Sequence, residues 1–180
     1  MPTNAAFNLA ARRGPRPRTT LTNPHTQLDQ HPAAPVAESL RAALADAVFA
    51  LPHVRERPSA ISVPGARALW LDTDAARGPR SAFLIATEFA HFHPLPDGSL
   101  HAALPSTLTE SATALGWAEE HPVARLGLIP ANVVMLYAPR DESELRVVLY
   151  LVTASHAFAS GENGPASTPS GDLSDTCDGP

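Results

Sequence analysis

The chain contains no lysine, and all 13 of its basic residues are arginine. With its abundant alanine and proline, this reads as a GC-rich codon bias rather than as a functional signal. Cysteine is almost absent too. The single Cys177 excludes an intramolecular disulfide and a cysteine-based zinc site, and a cytoplasmic setting is the expectation. No apolar run approaches the roughly 20 residues that span a bilayer, and no signal peptide is visible. The net charge of −5 is dispersed, so no nucleic-acid partner is expected. There is no glycine-rich phosphate loop and no Gly-x-Ser-x-Gly nucleophile elbow. Asp72/Asp74 and Glu119/Glu120 read as solvated loop charges rather than as catalytic carboxylate pairs.

What is present divides the chain in three. Residues 1–34 are rich in Pro, Arg, Thr and Asn without periodicity and are expected to be a disordered arm. Arg12, Arg13, Arg16 and Arg18 give the arm the charge of a targeting peptide, but Pro15, Pro17 and Pro24 break the helix such a peptide needs. Residues 160–180 read as a disordered acidic tail, leaving one domain over 35–159. Within it, Val36, Leu40, Leu44, Val48 and Leu51 recur at helical spacing. Strands are expected at Ala60–Val63 and Ala66–Leu71, joined at Pro64-Gly65, and at Ser81–Phe92 and Ser99–Leu104 around the turn Pro94–Gly98. A helix follows from the capping-box spacing Thr107–Glu110 to Gly116, then a strand Asn132–Tyr137, then a helix opened by Asp141 and striped by Leu145, Val148, Leu149 and Val152. Consecutive strands with hairpin-length links predict an α+β fold, a mainly antiparallel sheet of about five strands with two to three packed helices.

Three of the eight histidines fall within eleven residues, in Glu88-Phe-Ala-His91-Phe-His93 and Ser99-Leu-His101. Strand alternation puts His91 and His93 on one face, roughly 7 Å apart. A Pro94–Gly98 turn that sets His93 against Ser99 places His91 opposite His101, with Cβ atoms roughly 5 Å apart. Phe83, Ile85 and Phe89 are expected on the same face. Glu88 belongs to the opposite face unless a bulge intervenes, and Arg67 is one candidate partner for it. Clustered imidazoles suit two chemistries: acid–base work near neutral pH, and ligation of a divalent transition metal by His91, His93 and His101. Further along, Trp117 and His121 in Gly116-Trp-Ala-Glu-Glu-His-Pro122 can wall a pocket, and Tyr137 and Arg140 can flank a cleft, although Arg140 also has Asp141 and Glu144 as ion-pair partners. His156 falls on the apolar stripe of the last helix as a core or boundary histidine, and His25, His31 and His53 lie in or near loops and carry no role.

The order and spacing of Glu88-x-x-His-x-His93, Leu100-His-x-x-Leu104, Gly116-Trp-x-x-x-His-Pro122 and Tyr137-Ala-Pro-Arg140 resemble the luciferase domain family, over roughly residues 58–159. That family includes the fungal bioluminescence luciferases, which oxygenate a hydroxylated pyrone, and many bacterial proteins. The resemblance implies a small-molecule oxygenase-like enzyme, an oxidoreductase of the monooxygenase kind. Its candidate catalytic residues are His91, His93, His101, His121 and Glu88, and its candidate substrate-binding residues Trp117, Tyr137 and Arg140. No cofactor is required on this reading. A metal-dependent enzyme of another class with histidine ligands, and a non-catalytic small-molecule binding or interaction domain, are the alternatives. A small molecule is the expected partner, with neither nucleic acid nor membrane involved.

Overall fold

The computed structural model describes residues 9–162. Helix α1 (Ala34–Phe49) leads to β1 (Val54–Pro58) and β2 (Arg67–Leu71), and a short 3₁₀ turn (Arg80–Ala82) precedes β3 (Glu88–Phe92) and β4 (Leu100–Ala103). Then follow α2 (Ser106–Ala114), β5 (Ala118–Glu120), α3 (Pro122–Arg125), β6 (Val133–Leu136) and α4 (Glu142–Ser160). The strands form one antiparallel sheet in the order β1-β2-β3-β4-β6-β5, so the α+β arrangement holds with six strands and four helices. Three elements are additional to the expected ones: β1, whose Val-Arg-Glu-Arg-Pro exposes four of its five residues and so shows no apolar alternation, and β5 and α3, which have three and four residues, too short for periodicity to show.

One face of the sheet is apolar. Leu69, Ala90, Phe92, Leu100, Val134 and Leu136 pack there against Leu44 and Val48 of α1 and Val148, Leu151 and Val152 of α4. Helix α4 starts as expected. The Asp141 carboxylate accepts the Glu144 N–H at 2.9 Å, and Gly161, at φ 70°, stops the helix in the left-handed conformation that glycine tolerates. Asp141→Ala should cost about 1 kcal/mol in chemical denaturation, the usual value of such a cap; an unchanged midpoint would deny the cap that weight. The Thr107–Glu110 capping box is not used, because α2 begins after Pro105 with no side-chain cap. His156 is a core histidine, its Nε2 2.9 Å from the Pro52 carbonyl.

Three sequence expectations change. Ala60–Val63 is not a strand, because Ser59 and Glu88 hold the segment as a turn. Ser59 Oγ accepts the N–H groups of Ile61 and Ser62, and Glu88 accepts that of Ala60. Only the last five residues of Ser81–Phe92 form a strand, since the 3₁₀ turn interrupts the beginning. The Arg/Pro-rich stretch is not loose in its described part: residues 9–33 lie against the domain with Arg12, His25 and Gln27 buried. Backbone and side-chain contacts replace a hydrophobic stripe as the anchor. Ala10 O accepts the Trp117 indole N–H at 2.7 Å, Arg12 N–H reaches Leu115 O at 2.8 Å, and Ala138 N–H reaches Gln27 Oε1 at 2.9 Å. Residues 163–180, with Cys177 and the acidic tail, lie outside the described residues.

Candidate functional site

The second face of the sheet carries the histidines. The register is the expected one: His91 pairs with His101, and the His93 N–H bonds to Ser99 O at 2.9 Å across the Pro94–Gly98 turn. Gly98 closes that turn at φ 65°, where a side chain would be strained. The pairing of β2 with β3 slips by one residue, since Leu69 faces Ala90 while Trp70 faces Glu88. This bulge at Phe89 breaks the alternation. Glu88 is thereby turned onto the histidine face, where its Oε1 lies 2.8 Å from His91 Nδ1. Phe89 turns the other way and packs 5.8 Å from the His156 ring on α4, so it leaves the face assigned to it, and Phe83 is likewise part of the helix-side core. Arg67 does not meet Glu88 and pairs with Glu56 at 2.6 Å.

Five imidazoles, not three, meet on this face. His91, His93 and His101 are joined by His121, just before α3, and by His25 from the N-terminal segment, and all five are buried. His101 is central, with ring centroids 5.1 Å from His91, 4.7 Å from His93, 4.4 Å from His121 and 5.4 Å from His25. Three carboxylates stand behind the rings. Glu88 holds His91, Asp97 holds His93 Nδ1 at 2.6 Å, and Glu119 holds His25 Nε2 at 2.6 Å. Two groups of three histidines, His91/His93/His101 and His25/His101/His121, bring one ring nitrogen each within 4.8 Å of the others, a spacing at which they can hold a metal.

Burial sets the protonation of the centre. It pushes the imidazoles of His91 and His101 below their ordinary value, and for His101 the four neighbouring imidazoles push the same way. His121 is pushed down to about 4, by burial and then by the same company, so its ring is neutral at pH 7. Its Nδ1 accepts the Val123 N–H at 3.1 Å, which leaves the ring proton on Nε2. Burial works to raise the Asp97 and Glu119 carboxyls, but hydrogen bonds from His93 and Ser99, and from His25 and Tyr137, outweigh it and hold both low.

Over the rings lies a cavity of about 560 Å³. His91, His101 and His121 form its floor, and Leu84, Ile85, Val123 and Val133 are among its apolar walls. Arg80, at its edge, is the one guanidinium among the described lining residues, and Ser62 Oγ is buried there without a hydrogen-bond partner. The structure does not bring Trp117, Tyr137 or Arg140 to this cavity. Trp117 anchors the N-terminal segment, while the Tyr137 hydroxyl donates to Glu119 at 2.9 Å. Burial and that carboxylate push the Tyr137 phenol up to about 12. Arg140 pairs with the buried Glu144, its Nε 2.9 Å from Oε1. His25, Asp97, Glu119 and Arg80 were missed in the sequence. Asp97 alone had a local signal, four residues from His93 within a tight turn.

Residues 86–155 match the Luciferase domain, a stretch that contains Glu88, His91, His93, His101 and His121 but not His25. The chain is 31% identical to a luciferase of Armillaria ostoyae over 89% of its own length and 64% of that protein's. It is 40% identical to a luciferase of Neonothopanus nambi over 44% of its own length and 30% of that protein's. It thus spans less than two thirds of these fungal relatives. No solved structure matches the chain significantly. Among the described residues, no helix is long and apolar enough to cross a membrane. Residues 86–155 thus form a Luciferase domain, in a chain that is similar over most of its own length to a fungal luciferase.

Proposed function

We propose that this protein is a small-molecule enzyme that oxygenates an enolic or phenolic compound bound on the histidine floor. The observation that carries the proposal is the convergence of five buried imidazoles, three of them forming the floor of an apolar cavity of about 560 Å³. Such a cavity, with few polar groups at one end, suits a compact and largely apolar ligand. An imidazole lone pair on the floor takes the acidic proton. The Nε2–H of His121 and the Arg80 guanidinium then face the anion. The electron pair of that anion forms a bond to dioxygen. The carbon is oxidised, the dioxygen is reduced to the level of a peroxide, and the proton returns to the product from the floor. The fungal relatives are named luciferases, which supports an oxygen-dependent reaction.

On this reading the working unit is the domain over 35–159 together with residues 9–33, because His25 comes from the latter. The partner is a small molecule rather than nucleic acid or membrane, and the setting is cytoplasmic. The test is dioxygen uptake with a panel of enols and phenols, hydroxylated pyrones among them. Wild-type protein should consume dioxygen with at least one of them. His91→Ala and His101→Ala should lower that rate by about 10²–10⁴-fold, the range of an acid–base contribution. Uptake that survives both substitutions, or no uptake with any candidate, would remove the proposal.

A further inference from the structure

The hydrogen bonds across the floor do not balance in protons. Glu88, His91, His101, His25 and Glu119 form one chain, linked at 2.8 Å (Glu88 Oε1 to His91 Nδ1), 3.1 Å (His91 Nε2 to His101 Nδ1), 3.3 Å (His101 Nε2 to His25 Nδ1) and 2.6 Å (His25 Nε2 to Glu119 Oε1). Four links need four protons. With both end carboxylates ionised, so that they only accept, and one proton on each imidazole, the chain holds three. One link is therefore short of a proton, and it lies where two lone pairs can be brought face to face. Starting from Glu88, His91 donates through Nδ1 and turns the lone pair of Nε2 on His101. Starting from Glu119, His25 donates through Nε2 and turns the lone pair of Nδ1 on His101. His101 has one proton for two neighbours: carried on Nε2 it serves His25 and leaves the contact His91 Nε2 to His101 Nδ1 without a proton, and carried on Nδ1 it serves His91 and leaves His101 Nε2 to His25 Nδ1 without one.

A third lone pair favours the first of these contacts. Asp97 takes the Nδ1–H of His93, which leaves Nε2, and the ring is 5.5 Å from that of His91 and 4.7 Å from that of His101. Two nitrogens of a tetrahedral site with metal–nitrogen bonds of about 2.05 Å stand about 3.3 Å apart. The His91–His101 contact is already close to that edge, and one nitrogen from each of His91, His93 and His101 lies within 4.8 Å of the others. We infer that His91 Nε2, His93 Nε2 and His101 Nδ1 are the ligands of one divalent first-row transition ion, with Glu88, Asp97 and the His25–Glu119 pair holding the outer ring nitrogens.

An ion at this point takes all three lone pairs, and every remaining ring proton then has an acceptor. Three neutral imidazoles, each oriented by a carboxylate or by a further histidine, are the arrangement in which such ions are held. The fourth position opens onto the cavity, because His91 and His101 line it. The other histidine group fails the same test. His121 spends its Nδ1 lone pair on the Val123 N–H and carries its proton on Nε2, so neither nitrogen is free to ligate.

The inference rests on the reading that the floor is the reactive surface and adds an ion to it, which would meet the acidic oxygen of the substrate in place of an imidazole. The test is titration of the chelator-stripped full chain with cobalt(II) and zinc(II) in a calorimeter, with cobalt absorption read in parallel. One ion per chain is expected, with the visible bands of cobalt bound to nitrogen. Asp97→Asn should weaken binding by about 10–100-fold, and His93→Ala by more, whereas His121→Ala should leave stoichiometry and affinity unchanged. Binding that is absent from the wild type, or that His121→Ala abolishes, overturns the inference. No substrate enters the titration, so the two readings fail separately. Oxygen uptake without ion binding overturns the site alone, and ion binding without uptake supports the site while the oxygenase proposal falls.

Discussion

Replacing Glu144 by alanine is expected to cost the fold about 3–5 kcal/mol, the penalty for removing one partner of a buried ion pair. The Glu144 side chain is 3% exposed and that of Arg12 is 1% exposed, with 3.6 Å between Oε2 and Nη2. Glu144 also accepts from Arg140 through its backbone N–H at 3.0 Å and its Nε at 2.9 Å. Burial already pushes the Arg12 guanidinium below its ordinary value, with Glu144 the largest influence opposing it. Without the carboxylate, Arg12 is a buried cation with no counter-charge and leaves its place, and residues 9–33 loosen with it. Urea denaturation measures the loss. Trypsin cleavage at Arg12, Arg13, Arg16 and Arg18 measures the loosening and should accelerate. A paired change, Arg12→Met with Glu144→Leu, should recover part of the stability, because no fully buried charge is left unpaired, while Arg140, 28% exposed, loses its partner but still reaches solvent. A loss under about 1 kcal/mol in the single variant, the level of an exposed pair, would show that the pair does not hold the segment down.

Glu88→Ala is expected to damage the fold and the site together. The carboxylate is fully buried and accepts from three donors: Ser59 Oγ at 2.7 Å, the Ala60 N–H at 3.0 Å and His91 Nδ1 at 2.8 Å. Alanine leaves the buried His91 ring N–H without its carboxylate, at about 1–3 kcal/mol, and takes the acceptor from the Ala60 N–H of an exposed residue, at less. The expected loss is about 2–4 kcal/mol. Glu88→Gln should lose less, since its amide oxygen still accepts one of these protons. Functionally, the His91 ring loses the group that fixes its tautomer, and the turn at residues 59–63, a wall of the cavity, loses its anchor. Denaturation and oxygen uptake, measured on both variants, check the two effects. If Glu88→Ala were as stable as wild type, Glu88 would not be the support of this wall.

Such predictions differ in how much of their basis the chain itself discloses. The hairpin is nearly all legible: Asp97-Gly98 sets the turn, the turn sets the register, and the register sets His91 against His101, because antiparallel pairing leaves no freedom once a tight turn is placed. The Asp141 cap and the α+β class follow from equally local patterns. The position of Glu88 was conditional, since alternation forbids what a single bulged residue permits, and nothing in Glu88-Phe-Ala-His91 announces a bulge.

Sequence alone determined helices α1, α2 and α4, strands β2, β4 and β6, the end of β3, the histidine face and the family resemblance, all of which depend on spacing within short stretches. Only the tertiary structure decided the rest. It brought His25 across 76 residues to His101 and set Glu119 behind it. It moved Trp117, Tyr137 and Arg140 from an expected cleft to the anchoring of the N-terminal segment. The physical reason is that residues 9–33 contain no apolar periodicity. They are held by backbone carbonyls, a buried guanidinium and a histidine, groups whose partners exist only once the sheet has formed.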